Sequence, residues 1–169
     1  MKKRVTGMIT IGLFGFVFQG CGSPPMKEIT QKIVKVETPN GEYKTVNKHS
    51  GAYGKYQIMP KTAKHYTKKL NINYREWKKP ENQDKIYTAI LCDNINALKK
   101  SGHKINAFTV YGAHQQGARG FDCIIRNKNL NAKAYRRLRR NLPKQYKYLK
   151  NEKLRLAWIN YWSHRMKNI

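Results

Sequence analysis

Where the prolines fall limits the fold more than any other feature. Pro25, Pro60 and Pro80 each stand at the front of a stretch whose apolar residues recur every three or four positions. Proline suits the first turn of a helix, where its missing N–H would have no partner, and is excluded from helix interiors and central strands. After Ser23-Pro24-Pro25, the residues Ile29, Ile33 and Val36 share one face and predict a helix over 25–37. Pro60 is followed by Ala63, Tyr66 and Leu70 on one face, and Pro80 by Ile86, Ile90, Ala97 and Leu98 as buried positions. Between the first two helices, residues 38–54 (TPNGEYKTVNKHSGAYG) lose the period and are rich in Gly, Asn and Ser, which predicts an irregular loop or a short hairpin. Two shorter helices are expected over 104–113 and 118–127, parted by a turn at Gln115-Gln116-Gly117. Two more follow over 131–141 and 144–166, the last with Leu149, Leu156, Ile159 and Trp162 facing inward. With no internal repeat, the expectation is one all-α domain.

The chain begins MKKRVTGMITIGLFGFVFQGC. A basic start at Lys2, Lys3 and Arg4 precedes an uncharged stretch whose apolar core, residues 8–18, is shorter than the roughly 20 residues a spanning helix needs. Residues 1–20 are therefore expected to be an export signal, placing the mature chain, 21–169, in the cell envelope or periplasm. The end of this segment resembles a bacterial lipoprotein signal, which implies that Cys21 becomes the lipidated first residue and anchors the chain to a membrane. A plain secretory signal and an uncleaved anchor are the alternatives.

Charge and cysteine usage narrow the chemistry. The 169 residues carry 35 Lys or Arg against 9 Asp or Glu, a formal net charge of +26. So few acids leave little material for clustered carboxylates such as multi-metal phosphoryl transfer requires. Hydrophobic residues at 40% exclude a wholly disordered basic tail. If Cys21 carries lipid, Cys92 and Cys123 remain as a pair, and both a disulfide and two buried free thiols are open readings. There is no CxxC or Cys/His ligand spacing, so neither a metal nor an organic cofactor is expected.

Three short segments carry the functional signal. Glu37 closes the first helix in VETPNGEY. Residues 51–60 read GAYGKYQIMP and are followed by Lys61-Thr62-Ala63. Residues 110–117 read VYGAHQQG and are followed by Ala118-Arg119-Gly120-Phe121. In order and spacing these resemble the lytic transglycosylases of the goose-type lysozyme-like superfamily: a helix-terminal Glu, a Gly-x-x-Gln-(Ile/Leu)-x-Pro segment, and a Tyr motif downstream. The resemblance spans about residues 26–127 and implies an all-α, lysozyme-like domain acting on peptidoglycan glycan strands.

Each part has a physical reason. Breaking a glycosidic bond needs a proton delivered to the leaving oxygen, so one carboxyl must be able to hold a proton near neutral pH. A helix C-terminus and apolar surroundings both disfavour a carboxylate, which makes a helix-terminal Glu a suitable donor. Two-carboxylate glycosidases need a second acid about 5–9 Å away, yet the acid nearest in sequence is Glu42 and residues 43–75 hold none. The resemblance implies a mechanism with one carboxyl. Glu37 acts first as acid and then as base on the C6 hydroxyl of N-acetylmuramic acid, giving a 1,6-anhydro product with help from the substrate's N-acetyl group. The resemblance further implies that Gln57 and Tyr56 line the cleft and that Tyr111 contacts the catalytic Glu or the sugar. Gly112 stands where the family commonly has Asn. For His114, substrate binding and a structural hydrogen bond are both open. Hydrolysis with Glu42 as partner acid is the alternative within enzymes.

From Arg126 to Ile169 there are 14 Lys or Arg and one acid, Glu152. Basic helices from about residue 128 suit adhesion to an anionic envelope surface, through lipid headgroups or the carboxylates of peptidoglycan stem peptides. They also suit nucleic acid, which the export signal argues against. A basic envelope- or nucleic-acid-binding module on a lysozyme-like scaffold is thus the reading from outside enzymes.

Overall fold

In a computed structural model the described residues are 24–128 and 130–169; the expected signal segment and Cys21 lie outside them. The first helix, α1 (Pro24–Glu37), buries Met26, Ile29 and Ile33 and stops where Pro39 would break its ladder. The loop after it makes two isolated antiparallel bridges, Val46 with Tyr53 and Tyr53 with Ile58. Pro60 then opens α2 (Pro60–Lys69) and Pro80 opens α3 (Pro80–Lys100). A 3-10 turn at Tyr74–Glu76 separates them, with Trp77 buried behind it.

The helix α3 is the long central strut. It buries Gln83, Ile86, Tyr87, Leu91, Cys92, Ile95 and Leu98, while the expected core positions Ile90 and Ala97 are only half-buried. Against it lies α4 (Ala107–Gln116), opened by a capping box between Asn106 and Thr109 and buried at Thr109, Val110, Tyr111, Gly112, Ala113 and Gln116. This helix runs through Gln115 and Gln116, where a turn was expected, and breaks only at Gly117, whose φ is +75°. The shift matters, because Gln115 then sits one helical turn beyond Tyr111 on the same face.

After α5 (Ala118–Ile125) and α6 (Ala132–Arg140), the segment expected as one helix from 144 divides. Residues Lys144–Tyr146 form a 3-10 turn, and α7 (Asn151–Asn168) starts later, after Lys150. Its inward stripe is Leu154, Trp158, Trp162 and Met166, at steps of four. Leu156, expected inside, is 44% exposed, and Ile159 is half-buried. The two tryptophans set the phase: burying both large rings rotates Leu156 toward solvent. Arg155 is also buried, and it is satisfied by Glu152 and by the Ile124 carbonyl oxygen at 2.7 Å.

The architecture is all-α and strand-free among the described residues, with α1, α3, α4 and α7 sharing one core. No helix of the described residues is long and apolar enough to cross a membrane. Cys123 is a free thiol, so the pairing of Cys92 with Cys123 is not formed.

Candidate active site

Glu37 is the last residue of α1, and its side chain keeps about 20% of its surface exposed. The next residue fixes the helix end: Thr38 is buried and its hydroxyl donates to the Lys55 carbonyl at 2.7 Å, tying α1 to the 51–58 loop. Two helices supply the wall around the carboxylate. From α4, His114 Nε2 lies 3.7 Å from Glu37 Oε1. Tyr111, also from α4, is buried, and its hydroxyl pKa is pushed up by that burial and then by the charge of the Glu37 carboxylate nearby. From α3 comes Tyr87, pushed up by burial and again by the Glu37 charge. Its hydroxyl makes no hydrogen bond of standard geometry, although Thr30 of α1 lies beside it.

Burial also lowers the His114 pKa below the ordinary imidazole value, with the Glu37 charge opposing that shift. The ring is therefore neutral at pH 7, and the carboxylate's neighbours are neutral donors and acceptors. Among the described residues, the ion pairs of Lys and Arg go to other acids and none goes to Glu37. That is a notable choice for a chain with 35 cations, because a cation beside a carboxylate holds it ionised.

Behind Tyr111 stands a hydrogen-bond chain whose direction is forced by chemistry. Trp158 Nε1 donates to Gln115 Oε1 at 3.0 Å. An indole N–H can only donate, so the amide oxygen must face it and the amide NH2 must face the other way. That NH2 donates to the Tyr111 hydroxyl oxygen at 3.0 Å, which leaves the Tyr111 proton free to point at Glu37. Trp162 packs on the Tyr111 ring with centroids 4.7 Å apart. Neither Gln115 nor Trp158 stood out as a site residue in the sequence. The usable signal was the step of four between Tyr111 and Gln115, hidden by reading 115–117 as a turn.

The loop at 51–58 is pinned from below by Gln83. This fully buried side chain donates to the Tyr43 and Lys78 carbonyls and accepts from Lys55 N at 3.2 Å. Gly54 is required there, because its φ is +79° and a Cβ would stand 1.7 Å from Gln83 Oε1. Gln57 also has a positive φ, +49°, and its amide donates to the Gly54 carbonyl at 3.0 Å. Tyr56 is buried, stacked on Tyr87 at 4.0 Å, and its hydroxyl donates to Asp84 at 2.8 Å. Tyr43 donates to the same carboxylate.

Of the residues singled out in the sequence, Glu37, Tyr111 and His114 thus come together. Gln57 and Tyr56 sit on the adjoining loop, engaged with Gly54 and Asp84. Glu42 is exposed to solvent. At Gly112, where the family motif commonly has Asn, a Cβ would meet the Phe121 ring at 2.3 Å; packing of α5 against α4 excludes a side chain there. Among the described residues no group of three His, Cys, Asp or Glu side chains is placed to hold a metal ion.

A profile of the Transglycosylase SLT domain matches residues 26–137, from the first turn of α1 into α6. The chain belongs to the SLT transglycosylase family. The domain is that of lytic transglycosylases, which act on peptidoglycan. The matched span holds Glu37, the 51–58 loop, Tyr111 and His114; α7, with Trp158 and Trp162, lies beyond it. Comparison with curated proteins and with solved structures gave no significant match.

Proposed function

We propose that the protein cleaves the β-1,4 bond between N-acetylmuramic acid and N-acetylglucosamine in peptidoglycan, with Glu37 as the single acid and base. The observation that carries this reading is a partly exposed carboxylate at a helix end, faced by Tyr111, Tyr87 and neutral His114 and paired with no Lys or Arg among the described residues. Protonated Glu37 gives its proton to the O4 of the leaving N-acetylglucosamine as the C1–O4 bond breaks. The N-acetyl oxygen of the muramic acid closes on C1 to form an oxazolinium. The Glu37 carboxylate then takes the proton of the C6 hydroxyl, O6 bonds to C1, and the C1–oxygen bond of the oxazolinium breaks. The products are a 1,6-anhydro end and a restored Glu37 acid, with no water consumed.

Tyr111 donates to the ionised form of Glu37 and steadies it between the two proton transfers, held in place by Gln115. His114, neutral and 3.7 Å away, keeps the carboxyl oriented without adding charge. Gln57 stands on a turn that presents backbone and amide groups to the sugar. The same proposal places the mature chain, 21–169, in the envelope, exported by residues 1–20 and anchored through lipid on Cys21.

Mass spectrometry of digested sacculi tests the reading. The wild type should give 1,6-anhydro ends. Glu37→Gln should lower product formation by about 10²–10⁴-fold while its circular dichroism is unchanged, and Glu42→Gln should keep near-normal activity. Reducing ends instead of anhydro ends, with activity lost in Glu42→Gln, would establish a hydrolytic lysozyme using Glu42.

A further inference from the structure

The second concentration of chemistry lies away from Glu37, on α6 and the link to α7. Lys133, Arg136, Arg139, Arg140 and Lys147 line a concave site of about 540 Å³. Lys133, Arg136 and Arg140 share one face of α6 at steps of three and four. Arg139 is fixed by the backbone of the next segment: Nε donates to the Lys147 carbonyl at 2.8 Å and Nη2 to the Leu149 carbonyl at 3.0 Å. Those two bonds draw the 147–149 segment onto α6 and bring Lys147 to the arginines. The lining contains no acid, and the one acid of the C-terminal third, Glu152, is taken by Arg155.

A solvated helix face would explain scattered lysines, but it does not explain this composition. The chain has 25 Lys and 10 Arg, and four of those arginines fall within residues 136–140. Arginine offers a rigid fork of donors suited to two-point recognition of an oxyanion, which lysine lacks. Two members of the set also serve structure: Arg137 donates to the Gln116 carbonyl at 3.2 Å, and Arg139 to the Lys147 and Leu149 carbonyls. All but Arg137 converge on a hollow whose walls focus their field. A planar carboxylate is satisfied by one guanidinium fork. Five cations from α6 and the following link match the higher charge and the tetrahedral oxygens of a phosphate.

We propose that this hollow is a binding site for a phosphate group, with Arg136 and Arg140 as the oxygen-binding forks and Lys133, Lys147 and the backbone-held Arg139 as flanking charges. The site is independent of the role given to Glu37. The phosphate can arrive as a soluble ion or ester, or as the headgroup of an anionic phospholipid, and both present the same oxygens.

Calorimetric titration of the full chain with inorganic phosphate, at ionic strength held constant with chloride, tests the site. A single saturable binding event is expected. In the double variant Arg136→Gln/Arg140→Gln it should weaken by about tenfold or more. Both residues are exposed, so the variant's melting temperature without phosphate and its activity on soluble peptidoglycan fragments should match the wild type. Displacement of bound phosphate by phosphatidylglycerol vesicles, and not by phosphatidylcholine vesicles, would support the site with a lipid headgroup as its source. Saturable phosphate binding that such vesicles leave intact would support it with a soluble source. The proposal is overturned by the absence of saturable binding above chloride, by equal binding in the variant, or by tight binding of a DNA duplex without any phosphate response.

Discussion

Around Glu37 the chain places two tyrosines and a neutral histidine and pairs no Lys or Arg with the acid, whereas on α6 it gathers arginines around a hollow that holds no acid. Both regions come from one polypeptide of net charge +26, so the contrast is a matter of placement. At the wall, every hydrogen bond is spent on fixing neutral groups: Trp158 on Gln115, Gln115 on Tyr111, Thr38 on the Lys55 carbonyl. None of these bonds brings a cation to the carboxylate. On α6 the hydrogen bonds fix a backbone link and leave several charged tips outward. Substitutions in the wall and its supports should therefore be costly, and those on the α6–α7 outer faces nearly free.

The largest effect is expected where the loop beside the wall is clipped to α3. Gly54→Ala places a Cβ against Gln83 at a positive φ and should destabilise by about 2–5 kcal/mol, read as a lowered melting temperature. Gln115→Met comes next. It keeps the length of the side chain but leaves the buried Trp158 indole N–H without an acceptor and the Tyr111 oxygen without a donor. Chemical denaturation should show a loss of about 1–3 kcal/mol, together with a fall in turnover, since Tyr111 loses its orientation.

A smaller effect concerns pH. With the folded His114 pKa held below the unfolded value, the unfolded chain takes up the proton first as pH falls. Stability is then fully present above about pH 6.5 and declines below it, until the folded ring also titrates. His114→Gln should remove that part of the slope in melting temperature against pH; an unchanged slope would mean that His114 is not held neutral. The smallest change is expected on the outer side of α7. Leu156→Ala should alter stability by no more than about 0.5 kcal/mol, whereas Leu154→Ala, on the opposite, buried face of the helix, should cost about 2–5 kcal/mol.

That last pair also marks where the sequence was and was not legible. Helix starts at Pro60 and Pro80 could be read directly, because proline and the apolar period agree there, and the end of α1 at Glu37 followed from the same pattern. The phase of α7 could not be read. Leu149, Leu156, Ile159 and Trp162 and the true stripe of Leu154, Trp158, Trp162 and Met166 both fit a helical period, and only packing of the two tryptophans chooses between them. The wall was half legible. Glu37, Tyr111 and His114 follow from local motifs, but Tyr87 and Trp158 reach the site from α3 and α7 through tertiary contact, with no local spacing to announce them. Gln115 was obscured by reading a Gln-Gln-Gly run as a turn, when the glycine alone ends the helix.

The most direct test of a one-carboxyl mechanism is to follow the oxygen of water. Digestion of purified sacculi in ¹⁸O-labelled water, followed by mass spectrometry of the new N-acetylmuramic acid ends, distinguishes internal attack by the C6 hydroxyl from attack by solvent. The account predicts anhydro ends that carry no label. Labelled reducing ends formed at the wild-type rate would contradict it, because a second group would then have to activate water beside Glu37.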